Sequence, residues 1–162
     1  MKNKDAILNI IQNKARLSYK DISGLLNISE NEVEKTIKTL EKNNIIISYN
    51  TMINPNHPDV IPKIKALIEL SIRPEKNKGY DAIAEKISNN NFVIDQYLVS
   101  GNYDFLIIME GASLKEISDF VSELASMENI SKTATHVVLR TYKENSISLN
   151  KKIKEKRLPV SP

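Results

Sequence analysis

Two stretches of this 162-residue sequence, Ser18-Tyr19-Lys20-Asp21 and Ser29-Glu30-Asn31-Glu32, share one arrangement: a serine followed three positions later by a carboxylate. There the hydroxyl accepts a hydrogen bond from the backbone three residues on, and the carboxylate reaches back, so each stretch starts a helix. The starts are only eleven residues apart, which leaves room for a two-turn helix and a short turn. Ile22, Leu25 and Leu26 form the apolar stripe of the first of these helices, and Val33, Ile37 and Leu40 that of the second. Asn27-Ile28 breaks the pattern between them, and Asn43-Asn44 ends it. Upstream, Ala6, Ile7, Ile10 and Ile11 recur at helical spacing and predict a helix over about residues 3–13. Three short helices with a tight turn between the last two make a helix-turn-helix.

Such a unit lays its last helix in the major groove of double-stranded DNA, N-terminal half first. Asn31, Glu34, Lys35, Lys38 and Thr39 point away from the Val33/Ile37/Leu40 stripe; with Ser29 and Thr36 they are the candidate DNA-binding residues. Asparagine can pair with adenine, lysine with guanine or phosphate, and threonine with either kind of base. The same spacing also describes a small bundle with a solvated polar face, or a helical head that contacts protein. Glu30, Glu32 and Glu34 suit the helix dipole but repel phosphate. Weak affinity per head is therefore expected, recovered by joining several heads.

Charge is distributed unevenly. Residues 1–50 carry eight Lys/Arg against six Asp/Glu, residues 51–150 ten against thirteen, and residues 151–162 five against one. Basic ends on an acidic middle fit a binding head on a body, and fit solvated ends equally. The chain has no cysteine, which excludes disulfides and thiolate metal sites and agrees with a reducing compartment. No signal-peptide pattern opens the chain and no apolar run reaches the roughly 20 residues that span a bilayer. A cytoplasmic location is expected.

Ile47 to Ile53 reads as a strand, followed by a connector stiffened by Pro55, Pro58 and Pro62. From Lys63 the pattern becomes regular. Ala66, Ile68, Leu70 and Ile72 alternate with polar or half-buried positions, a strand. Tyr80, Ile83, Ala84 and Ile87 give a helix, Val93–Val99 and Phe105–Met109 two strands, and Ser113-Leu114-Lys115-Glu116 caps a further helix. Ser131–Tyr142 reads as a long last strand. A double β-α-β order means an antiparallel sheet with both helices on one face and the other face left without cover. The fold class is α+β, an N-terminal three-helix helix-turn-helix plus a C-terminal βαββαβ ferredoxin-like domain. The expected boundaries are 1–47 for the head, 48–62 for the connector, 63–143 for the second domain and 144–162 for a basic tail.

Between two strands lies Ser100-Gly101-Asn102-Tyr103-Asp104. Gly101 permits a positive φ and close approach of a small ligand. Tyr103 supplies a ring and hydroxyl, and Asp104 a carboxylate for an ammonium group. A tight hairpin with a polar tip is the plainer alternative. Thr133 and Thr135 share one side of the last strand.

Leu26-Asn27-Ile28-Ser29, Val33, Ile37, Leu40-Glu41, Ile45-Ile46 and Tyr49 together resemble the DNA-binding half of the leucine-responsive regulatory protein (Lrp/AsnC) family, and the Ser100–Asp104 hairpin resembles part of its amino-acid-sensing domain. The resemblance spans nearly all of residues 5–143. It implies that strand 47–53 pairs with its twin in a homodimer, and that dimers assemble further, to tetramers or octamers. It also implies that Gly101, Asn102, Tyr103 and Asp104 of one dimer, with Thr133 and Thr135 of another, line a pocket for a small amino acid. Family members usually carry arginines where this chain has Thr36 and Thr39.

Parts for catalysis are missing from the pattern. His57 and His136 do not have the spacing of a metal-ligand pair, no Ser–His arrangement is evident, and no glycine-rich phosphate loop follows a strand. No cofactor and no enzymatic activity are expected. A small-molecule-binding metabolic module with a protein-binding head is the alternative reading. The basic run Lys151–Arg157 is either a supplementary DNA or subunit contact or a solvated tail.

Overall fold

The structure, a computed structural model, describes residues 2–73 and 79–149. The chain divides into two compact units, with the boundary between Ile53 and Asn54.

The first unit holds α1 (Lys2–Asn13), α2 (Tyr19–Leu26) and α3 (Glu30–Lys42). Ile7, Ile11, Ile22, Val33 and Ile37 are buried together, with Leu17, Leu26, Ile28 and Ile46 packed against them. Local chemistry sets the ends. The Asp21 N–H donates to Ser18 Oγ at 3.1 Å while the Ser18 N–H donates to Asp21 Oδ2 at 2.9 Å, so this capping box is complete. Asn27 ends α2 in the left-handed region at φ 54°, a conformation that asparagine tolerates better than other side-chain-bearing residues. At α3 the Glu32 N–H donates to Ser29 Oγ at 3.2 Å, but the Glu32 carboxylate does not reach back. It accepts instead from Asn3 Nδ2 of α1 at 2.7 Å.

The second unit is a four-stranded antiparallel sheet with strand order β2-β3-β1-β4: β1 (Ile64–Ile72), β2 (Val93–Leu98), β3 (Phe105–Gly111) and β4 (Ile130–Val137). Two helices, α4 (Tyr80–Ser88) and α5 (Leu114–Ala125), complete the βαββαβ order. Alternate residues of β1 (Ala66, Ile68, Leu70, Ile72) and of β3 (Phe105, Ile107, Met109) form one core with Ile87 of α4 and Ile117, Phe120 and Leu124 of α5. Both helices therefore cover the same face. The pairings Leu67↔Ile108, Glu69↔Leu106 and Leu67↔His136 put the remaining residues on the opposite face, which carries no helix.

Residues 47–53, whose expected partner is the twin strand of a second copy, pair with no described segment of this chain, and Ile47 and Ile53 are exposed. Two expectations fail. The last strand stops at Val137 rather than Tyr142. Its partner β1 begins at Ile64, so after the Val138 N–H donates to Lys65 O at 2.9 Å no ladder is left to extend. The second domain does not end at residue 143 in a plain tail. β5 (Lys143–Glu144) and β6 (Ile147–Ser148) form a hairpin whose turn, Asn145-Ser146, has two positive φ angles, as a type I′ turn requires. Glu144 pairs with Lys65, which also lies 3.3 Å from Glu110, so this hairpin is fastened to the first strand. Burial alone would lower the Lys65 ammonium, but its bonds to Glu144 and Glu110 outweigh that and hold it above the usual lysine value. The basic run 151–157 lies outside the described residues.

Because the core is one-sided, adjacent residues of β1 should respond differently to truncation. Ile68→Ala removes a fully buried side chain and is expected to cost about 2–5 kcal/mol in urea unfolding, whereas Leu67→Ala on the opposite face costs less than half as much in dilute protein. Equal losses would place the core incorrectly.

Candidate functional site

The outward face of α3 carries fewer available cations than its composition suggests. Lys38 Nζ lies 2.7 Å from Glu34 Oε1 one turn earlier, and this contact raises the Lys38 ammonium above the usual lysine value. Thr36 Oγ1 donates to Glu32 O at 2.8 Å and Thr39 Oγ1 to Lys35 O at 2.7 Å, so both hydroxyl hydrogens are taken by the helix itself. Among the described residues nothing engages the side chains of Asn31 and Lys35, and both are exposed. Ser29 serves as the N-cap. The acidity seen in the sequence is also largely matched, Glu32 by Asn3, Glu34 by Lys38, and Glu41 by the Tyr49 hydroxyl at 2.9 Å. Partial burial and that bond push the Tyr49 phenol up to about 12. A cleft of about 250 Å³ bordered by Lys4, Lys35, Thr36 and Thr39 runs beside this face.

At the β2–β3 turn, Gly101 has φ 136°, and a Cβ placed there would meet nothing within 4 Å. A larger residue would be strained by the backbone, not by crowding. Asn102 is exposed and Tyr103 half-buried. Asp104 is tied down. Its Oδ2 accepts the Ile72 N–H at 2.7 Å, its Oδ1 accepts the Tyr80 hydroxyl at 3.2 Å, and its own N–H donates to Leu70 O at 2.8 Å. The Tyr80 ring meets Phe105 edge-on, centroids 5.9 Å apart. The turn is thus stitched to the end of β1 and the start of α4. The sequence reading missed Tyr80 in this role, and no local pattern marks it, because the contact spans 24 residues.

Thr133 and Thr135 lie opposite Leu70 and Ile68 on β4, while Asp104 sits on the far side of β1 beside Leu70. Two strand spacings, about 10 Å, separate them, so one chain does not bring the threonines and the hairpin into a single pocket. His57 faces Asp59 at 3.6 Å and His136 faces Glu69 at 3.2 Å. Among the described residues no group of three His, Cys, Asp or Glu could hold a metal ion, and no helix is long and apolar enough to cross a membrane.

The Asp104 hydrogen bond, followed by its negative charge, raises the Tyr80 phenol above its ordinary value. Ionisation is disfavoured in the fold, so this contact stabilises below the ordinary tyrosine value and fades as pH rises through the raised one. In alkaline ultraviolet titration, Asp104→Asn is expected to bring one tyrosine down toward the ordinary range, and Tyr80→Phe to remove that transition. Identical curves for the parent and Asp104→Asn would show that the contact is not made in solution.

Residues 65–147 match the Lrp/AsnC ligand binding domain, and residues 3–47 match a winged helix-turn-helix DNA-binding domain. The HTH-type transcriptional regulator YugG of Bacillus subtilis is 32% identical over 157 residues, covering 96% of this chain and 95% of the relative. LrpA of Pyrococcus abyssi is 28% identical, covering 85% and 94%. Among solved structures, a transcriptional regulator of Neisseria meningitidis in complex with L-Met superposes with a TM-score of 0.73 at 24% identity, covering 93% of this chain and 97% of that one. AsnC of E. coli superposes with a TM-score of 0.70 at 17% identity, covering 91% and 97%. The head is therefore a DNA-binding helix-turn-helix, the second unit is a ligand-binding domain of ferredoxin-like form, and the protein is a regulator and not an enzyme. The chain belongs to the Lrp/AsnC family of transcriptional regulators.

Proposed function

We propose that this regulator changes its assembly or its grip on DNA when it binds a small amino acid at the β2–β3 hairpin. The observation that carries this reading is the Gly101–Asp104 turn, a left-handed glycine beside a carboxylate, within the domain that matches ligand-binding relatives. The bound L-Met of the Neisseria structure supports the ligand class. A ligand ammonium would meet Asp104 by competing with, or adding to, the Tyr80 hydroxyl and Ile72 N–H. Since Thr133 and Thr135 lie about 10 Å away across β1, they would serve a hairpin contributed by another subunit. We further propose a homodimer that builds tetramers or octamers. The helix-free sheet face and the exposed apolar residues of the 47–53 segment (Ile47, Tyr49, Ile53) are the surfaces that favour it. The matching of Glu32 and Glu34 within the head weakens the alternative of a protein-binding head.

Thermal-shift measurement against the twenty amino acids is expected to identify at least one that stabilises the protein and alters its elution on sizing. Asp104→Ala and Gly101→Val should each abolish that response while leaving the basal oligomer unchanged. A retained response in both variants would remove the hairpin from the pocket.

For the head, Lys35→Ala should weaken duplex binding uniformly across sequences and lower the salt slope by about one per head. Glu34→Gln frees Lys38 and should strengthen binding. Gel shifts at several salt concentrations check both; no change in either variant would move the DNA face elsewhere.

A further inference from the structure

We propose that α3 reads A·T pairs, through thymine methyl groups and the adenine amino group, by means of Asn31, Thr36 and Thr39, and that it does not read guanine edges with these residues. The inference rests on the DNA-binding reading of the head and names the base chemistry that this helix takes.

A hydroxyl has one hydrogen to donate. Thr36 has given its hydrogen to Glu32 O and Thr39 has given its own to Lys35 O. What both residues can still present to a groove is an acceptor lone pair and a methyl group. Guanine shows two acceptors in the major groove, N7 and O6, and needs donors opposite them. Two threonines with committed hydrogens cannot supply these. Thymine shows a 5-methyl, and adenine shows a donor beside an acceptor. The threonine methyls match the first, and the threonine lone pairs match the adenine amine.

Cytosine also offers an amine, but it lacks the methyl, and its guanine partner would face an acceptor. Asn31, exposed and without a partner among the described residues, has the donor and acceptor that adenine takes in bidentate fashion. Of the lysines, Lys38 is held by Glu34, and Lys35 is the outward cation of the N-terminal half left for phosphate or for one guanine. Both threonines thus present the same chemistry, on the side of α3 that borders the cleft shared with Lys35.

The test uses the full-length chain and duplexes selected from a pool with a random core of about 20 base pairs, the span of two half-sites one helical turn apart. Each thymine of a selected duplex is then replaced singly by uracil, which removes only the 5-methyl. The proposal expects A·T pairs at the selected positions and a loss of about fourfold for each contacted methyl. Thr39→Ser keeps the hydroxyl and should erase the thymine–uracil difference at one position per half-site. Thr39→Val keeps a methyl and should retain it. Equal affinity for thymine and uracil duplexes at every position, or half-sites specified by guanine at more than the one position open to Lys35, would overturn this reading while DNA binding itself stands. Failure to retain any duplex at low salt would overturn both.

Discussion

A strand inside a sheet has two rows of backbone groups to satisfy, and β1 depends on neighbours of unequal reach. β4 accompanies it to Ile72, but β3 starts at Phe105, opposite Leu70. The Ile72 N–H would project past the end of the β3 ladder, and a buried donor left without a partner costs about 1–3 kcal/mol. The Asp104 carboxylate fills that gap. The β2–β3 turn is consequently built into the sheet, and α4 is held to the same carboxylate through Tyr80. The alternation along β1 that buries Ile68 and Leu70 beneath α4 and α5 also commits Leu67 and Glu69 to a face with no helix. Core, hairpin and open face all follow from the position of this one strand.

What could be read from the sequence follows the range of each interaction. Ser18 and Asp21 cap α2 as their spacing predicts, because both partners belong to one turn of chain. Ser29 and Glu32 have the same spacing but form only half of the motif, since Asn3, 29 residues away, takes the carboxylate. Residues 47–53 have strand composition and no partner among the described residues, and the strand expected beside them belongs to a second copy. Val138 to Tyr142 have strand composition too, and the sheet ends before them. The β5–β6 hairpin had a usable signal, an Asn-Ser pair between two short segments, in a stretch grouped with the basic run that follows it. Asp104 reads as a carboxylate for a ligand ammonium, and the partners it has within the fold lie 24 and 32 residues away, beyond any motif.

The head combines a conventional scaffold with an outward α3 face that is largely engaged with its own helix. Its core of Ile7, Ile22, Val33 and Ile37 is what a helix-turn-helix requires, while its outward face spends threonine hydroxyls and one lysine on contacts within α3. Back-bonded threonines have no free donor, so on the proposed reading the side chains that fix the helix also limit what it recognises. Placement of the helix in a groove depends on geometry, and discrimination depends on which hydrogens remain unspent.

The strand order β2-β3-β1-β4 leaves a free edge at each end of the sheet among the described residues. Two open edges on one molecule are a template for indefinite head-to-tail pairing, because edge-on-edge addition has no built-in closure. This sheet interrupts both. The ladder of β2 is irregular between Val93 and Asp95, with the aspartate set just past the break. β4 carries Lys132 and His136, and β1 shifts register beside it between Ser71 and Ile72. Strand-on-strand addition at either edge is thereby discouraged, and the sheet is protected from fibre-like growth.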